Sequence, residues 1–354
     1  DTAAAKSVTG VGFQPDFVWS KSRSDAFNWN NYDAVIGAGQ RLNSNTTAAA
    51  ATNHAYGYLS SFDSDGFTTA AGSTNNENWN KTSSAYVAWN WKAGGGPTAD
   101  NSAAAGAVPT AGSIKIDGAN FTGNLAGSIA ATRLSANTTS GFSLVKYNGN
   151  STAGATVAHG LGAAPELIMI KNLDDGSHGW VVTSPELGTT GDTTGGLPEY
   201  YILQLDTNAA KADWGEDNIY GFTSTTFSIG STGNMAMINK TSNSYVAYCF
   251  AGKEGYNKIG SYIGNNIADG TVVYTGFRPA FIMMKSHTTG GSATYSWSMF
   301  DNKRTSYNRQ GDSSQLEANT NDAEDTGATA DIDILSNGFK LRYSPNDTNG
   351  PNTY

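Results

Sequence analysis

The chain has little charge, one cysteine and no long apolar run. Asp, Glu, Lys and Arg make up 14% of its 354 residues, and the formal net charge is −9. Globular domains commonly carry roughly 25% charged residues, so here hydration must come largely from neutral Asn, Ser, Thr and Gly. Lys and Arg form no cluster, which excludes nucleic acid as the expected partner because phosphate binding rests on grouped cations. The lone Cys249 rules out an intrachain disulfide and, inside the run YVAYCFA, reads as a small buried hydrophobe. No apolar stretch nears the about 20 residues of a spanning helix, so membrane insertion is not expected. Hydrolase-elbow, P-loop, zincin and dinucleotide signatures are missing. His54, His159, His178 and His287 lack metal-ligand spacing. No enzymatic activity, cofactor or metal is therefore expected.

What the sequence does contain is repetition, the first thing to seek in a chain without catalytic signatures. NKTSSAYVAW (80–89) returns as NKTSNSYVAY (239–248), differing at three of ten positions, and the chain stops at Tyr354 on NDTNGPNTY. A second phrase occurs three times: GFQPDFVWSK (12–21), GAAPELIMIK (162–171) and GFRPAFIMMK (276–285). Its fixed members are Gly12, Pro15 and Lys21; Gly162, Pro165 and Lys171; Gly276, Pro279 and Lys285. Gly and Pro set a turn, Pro is confined to the strand start because it cannot donate to a ladder, and the apolar run suits a strand buried on both faces. The Lys is expected to mark the exit to solvent. Trp29, Trp180 and Trp297 follow in order, then Leu42-x-x-Asn45, Leu205-x-x-Asn208 and Leu316-x-x-Asn319, then the strand openers Gly66-Phe67, TTFSI (225–229) and Gly338-Phe339. Tyr86 and Tyr245 begin the closing strand, and Tyr354 aligns with both.

Short alternating strands with turn signals every 8–12 residues predict an all-β chain of tandem β-sandwich, jelly-roll-like modules. The expected division is a first module over 1–95, a Gly/Pro/Ala-rich linker with a short strand or arm over 96–140, a second module over 141–255 and a third over 256–354. An opening strand precedes the Pro phrase in the second module (GFSLVKYNGN, 141–150) and third (KIGSYIGNN, 258–266), but not in the first. The first module thus lacks its opening strand and the third its closing strand. The expectation is a window onto a longer polypeptide, or strands supplied by neighbouring chains. Within the linker, SIKIDG (113–118) reads as a strand and LAGSIAATRL (125–134) as a short helix or an arm.

Candidate contact residues come from aromatics set among Asn, Asp, Ser and Thr, where flat rings stack on sugars and short polar groups bond hydroxyls. Repeat-matched Trp29, Trp297, Tyr86 and Tyr245 read as core. Trp79 and Trp214, in loops unique to their copies, and Tyr200 and Tyr201 of the EYY run are the candidates for exposed contact with carbohydrate or a partner.

The segments GFQPDFVWSK…YDAVIGAGQRLNSNTTAAA…SFDSDGF…YVAWNWKAGG and TTSGFSLVKYNGNSTAGATVAHGLGAAPELIMIKN resemble repeat modules in virion proteins of marine tailed bacteriophages, including cyanophages. The resemblance covers nearly the whole chain and carries no catalytic residues. It implies a structural protein at the virion surface, part of a tail fibre, appendage or capsid-surface fibre. The expected partners are itself, as a homo-oligomer and from fibre habit a trimer, other virion proteins and host-surface glycan. Two other readings stay open: a bacterial extracellular surface or filament protein assembled by strand exchange, and a glycan depolymerase.

Overall fold

A computed structural model describes residues 5–74, 77–194, 196–215, 219–230, 235–287, 295–304, 308, 314–327, 331–343 and 347–354. The chain is all-β: sheets antiparallel but for the pairing of Ala131–Asn137 with Ile114–Ile116, joined by turns, with only two single-turn 3-10 helices among the described residues. Three Pro phrases give three strands, Phe17–Ser22, Leu167–Asn172 and Phe281–Met284, each pairing antiparallel with a Trp-side strand: Asn30–Asp33, Val181–Thr183 and Ser298–Asp301. In the first two cases the other edge pairs with a closing strand, Tyr86–Trp91 or Ser244–Phe250.

Each sheet is covered by a second one. In the first unit Lys6–Thr9, Gly66–Ala70 and Tyr58–Asp63 form it; in the third, Val272–Tyr274, Gly338–Leu341 and Ile332–Leu335. The recurrent Gly-Phe opener has a steric cause here. A Cβ on Gly66 would lie 1.9 Å from the Val8 carbonyl oxygen, and one on Gly338 would lie 2.0 Å from that of Val273. In the middle unit the strand Thr226–Ile229 pairs with Ala155–Ala158 in the corresponding place.

Strand periodicity explains why the Pro strands read as apolar throughout. Successive side chains point to opposite faces. Val18, Ile168, Ile170, Ile282 and Met284 enter the core of their own sandwich. Phe17, Trp19, Met169, Phe281 and Met283 point the other way into a fourth core that all three units share. That shared core also takes Trp29, Trp89, Trp180, Trp297 and Tyr248, so the three sandwiches stand around one aromatic hub.

Three sequence expectations need correction. The stretch expected as linker supplies Ile114–Ile116, Ala119–Asn120 and Ala131–Asn137 to an eight-stranded sheet of the second unit, and Ile114, Leu125, Ile129 and Leu134 are buried in its core. The segment 125–134 is therefore strand and extended chain, not helix, because Leu134 and Ala136 alternate with residues on the other face. KIGSYIGNN (258–266) is not a strand. Residues 262–264 pair with 352–354 and Asn266 N–H bonds the Asn349 carbonyl, and among the described residues no strand pairs with Lys258–Ser261. The lysines of the Pro phrase do not exit to solvent: Lys21, Lys171 and Lys285 are all buried.

Cys249 lies in the middle of the sheet, wholly buried, with its thiol pushed up to about 12 by desolvation. A thiol reagent such as DTNB is expected to label it only at the rate of unfolding. Labelling within seconds in native buffer would contradict this packing.

Candidate functional site

Buried indole N–H groups need acceptors, and the three repeat-matched tryptophans of the hub find them on the neighbouring unit. Trp29 Nε1–H donates to the carbonyls of Glu317 and Thr320 in the third unit, at 2.9 and 3.0 Å. Trp180 Nε1–H donates to the Asn43 carbonyl of the first unit at 2.8 Å. Trp297 Nε1–H donates to the Gln204 carbonyl of the second at 2.9 Å. First leans on third, third on second and second on first, which closes a ring of three junctions. Each tryptophan is also held by its backbone N–H, bonded to Asn45 Oδ1 (3.1 Å), Asp206 Oδ1 (2.7 Å) or Asn319 Oδ1 (2.8 Å). The middle counterpart of Leu42-x-x-Asn45 is thus Leu203-x-x-Asp206, not Leu205-x-x-Asn208. In every case the accepting carbonyl belongs to the residue after that leucine.

The buried lysines reinforce the same junctions. Lys171 Nζ donates to Thr47 O of the first unit (2.8 Å) and His178 O (2.7 Å); Lys285 Nζ donates to Asn208 O of the second (3.0 Å) and to Ser286 O (3.0 Å). Lys21 Nζ stays within its own unit, on Ser22 O and Asp25 O. Burial lowers all three ammonium groups to about 8. Carbonyl oxygens satisfy these groups, which is why a residue that reads as a surface signal sits inside.

A third contact uses the aromatic three residues after the closing-strand tyrosine. Tyr248 Oη–H donates to Asp33 Oδ2 of the first unit at 2.7 Å, its ring lying 4.8 Å from Phe17 and 5.7 Å from Trp180. Trp89 Nε1–H donates to Asp301 Oδ2 of the third at 3.1 Å, its ring 5.1 Å from Phe281 and 5.7 Å from Trp29. Both aspartates use Oδ1 to cap the following turn, and Ser184 Oγ does the same in the second unit. Their electrostatics differ. Burial, opposed by Tyr248, raises Asp33 to about 6. Burial also acts on Asp301, but Arg304, bonded at 2.5 Å, outweighs it and leaves the carboxyl below its usual range. Arg304 and Arg23 both bind Glu324, at 2.8 and 2.6 Å, tying the first unit to the third.

The residues expected to contact carbohydrate do not gather. Trp79 is buried, contrary to expectation: its ring lies 5.6 Å from Tyr32 and 5.4 Å from Phe67, filling the core of a sandwich built from two three-stranded sheets. Trp214 is half-buried against the second unit's core. Tyr200 packs on Phe222 at 5.2 Å, and Tyr201 lies under Lys211 Nζ at 4.6 Å. Among the described residues no ring contact joins Trp214 to either tyrosine, and no group of His, Cys, Asp and Glu could hold a metal ion. Sequence reasoning placed Trp29 and Trp297 in the core but missed their role as donors across junctions. The signal was present in the recurring Leu-x-x-Asn/Asp that follows each tryptophan at a variable distance.

Replacing Trp180 or Trp297 by Phe keeps most of the packing but strips a buried carbonyl of its donor. Each change is expected to cost about 1–3 kcal/mol in urea unfolding; a change under ~0.5 kcal/mol would remove the indole bonds from the account. The lysines give a signed pH effect. Unfolded lysine titrates near 10.5 and these near 8, so between those values the unfolded chain binds more protons and stability rises with pH. The Lys171→Met/Lys285→Met chain should show a flatter rise across pH 8–10 in thermal melts.

No curated protein and no solved structure matches the sequence. The family described as a domain of unknown function (DUF7483) matches residues 1–117 and again residues 113–354. Those two stretches together take in the whole chain, and the protein belongs to that family.

Proposed function

We propose that this chain is a phage virion structural protein: three related β-modules closed into one body, serving in a tail fibre, appendage or capsid-surface fibre. The observation that carries the reading is the ring of indole-to-carbonyl bonds from Trp29, Trp180 and Trp297. Three buried, repeated tryptophans are spent on joining modules, and the Pro strands turn one face into that joint. An arrangement of this kind serves mechanical continuity. The resemblance to virion repeat modules of marine tailed phages supports the same assignment.

A surface role toward host glycan falls to Trp214, Tyr200 and Tyr201, the half-buried aromatics of the second module. Antibody raised against the chain is expected to decorate an external appendage of intact particles in immunogold microscopy; label confined to bacterial cell surfaces would overturn the virion assignment. On a glycan array, Trp214→Ala should lower any binding about tenfold, the loss of roughly 1.4 kcal/mol, with little change in the melting midpoint. Equal binding by this variant and the parent would exclude the indole from contact.

A further inference from the structure

The ring of junctions is complete in its indole bonds and incomplete in its closing-strand contacts. Tyr248 fills the junction between second and first units, and Trp89 fills that between first and third. Between third and second the corresponding place opens into a cavity of about 940 Å³ that all three units line, Phe17, Trp19 and Trp89 of the first included. Its walls include Leu167, Ser184 and Trp297. These are the counterparts of Phe17, Asp33 and Trp180 around Tyr248, and of Phe281, Asp301 and Trp29 around Trp89. The walls also include Lys258–Tyr262 on one side and Pro279–Lys285 on the other, two stretches of backbone with an open edge.

The register leading into this slot is already set. His287 N–H donates to Thr353 O, as Leu173 donates to Ser244 O and Arg23 to Ala85 O in the other units. Tyr262 and Tyr354 exchange backbone hydrogen bonds and stack at 4.9 Å, as Tyr147 and Tyr245 pair and stack at 5.3 Å. Tyr354 therefore stands toward Tyr262 as Tyr245 stands toward Tyr147. The 354 residues contain two closing strands, Tyr86–Trp91 and Ser244–Phe250, both already paired with their own Pro strand. Five of the nine exposed large apolar side chains among the described residues, Tyr256, Ile263, Ile267, Val272 and Tyr274, lie in this third unit between 256 and 274, as expected of a sandwich short of cover.

We infer that the cavity is the seat of a third closing strand: a polypeptide strand of Val-Ala-aromatic pattern, antiparallel to Phe281–Met284, that inserts beside Lys258–Ser261 and places its aromatic between Leu167, Ser184 and Trp297. A small ligand fits the volume, but two backbone stretches on the cavity wall, the sheet edge Phe281–Met284 and Lys258–Ser261, with which no strand pairs among the described residues, call for a peptide, which adds main-chain bonds that a small molecule cannot supply in series. Residues 1–354 of a second copy offer no free closing strand, since Tyr86–Trp91 and Ser244–Phe250 are held in sheets.

The test titrates a synthetic peptide, VAWNWKAG, the sequence of residues 87–94, into the chain of residues 1–354. It should bind one to one, raise the thermal midpoint by roughly 3–6 °C near saturation, and protect the amides of 258–262 and 281–285 from hydrogen exchange. Exchange of its first Trp for Ala should weaken it about tenfold, and Pro in place of that Ala-Trp alanine, which breaks the ladder, should abolish binding. No stabilisation, equal stabilisation by a scrambled peptide, or protection elsewhere would overturn the inference. So would a chain that forms dimers with those amides already protected, because a second copy would then occupy the slot.

Discussion

The buried indole N–H groups of Trp29, Trp180 and Trp297 each find their acceptor on the backbone of the neighbouring unit. That requirement orders much of the rest. The carbonyl after each Leu-x-x-Asn/Asp leucine must face out of its own unit. The Asn or Asp two residues further on must then hold the tryptophan's backbone, so that ring and carbonyl keep their distance. The Pro strand beneath is covered on its second face, which is why its sequence lost the polar alternation of an ordinary exposed strand. Separating the units would strand donors, carbonyls and ammonium groups at once.

The low charge content suits this design. Charges taken into a joint are costly unless fully paired, and most junction contacts here are neutral donors on carbonyl oxygens. Besides the ammonium groups of Lys171 and Lys285, charge enters between first and third units, where Arg23, Arg304, Glu324 and Asp301 form a connected and largely buried set. There each carboxylate has a guanidinium partner. Asp33, in the equivalent place with only a tyrosine hydroxyl and two backbone N–H groups, is raised instead.

Much of the fold was legible because strand physics is local. Gly, Pro and a short apolar run announced the three Pro strands, and Tyr-Val-Ala-aromatic announced two closing strands. The hub was less legible because it depends on which carbonyl faces which ring. The spacing from tryptophan to its Asn or Asp varies between units, and in the middle Leu205 competes with Leu203 as the landmark. Lys21, Lys171 and Lys285 misled for the same reason: a lysine after a strand usually meets water, and nothing local shows that carbonyls will replace it. Trp79 misled by sitting in a loop of its own copy. Its side chain returns to fill a core that two three-stranded sheets cannot fill alone. The candidate contact residues Trp214, Tyr200 and Tyr201 remained partly accessible, but sequence gave no means of telling that they would lie apart.

That the three lobes share one covalent chain has a consequence for how they find each other. Association of separate subunits weakens on dilution, whereas lobes tethered in series meet at an effective concentration in the millimolar range, set by the connecting segments. The ring should therefore hold together at any dilution. Tethering also frees each joint from symmetry. In a homotrimer one substitution appears three times, but here Tyr248 on Asp33 and Trp89 on Asp301 can diverge independently. One joint can be tuned for rigidity while another stays adaptable, a freedom that identical subunits do not have.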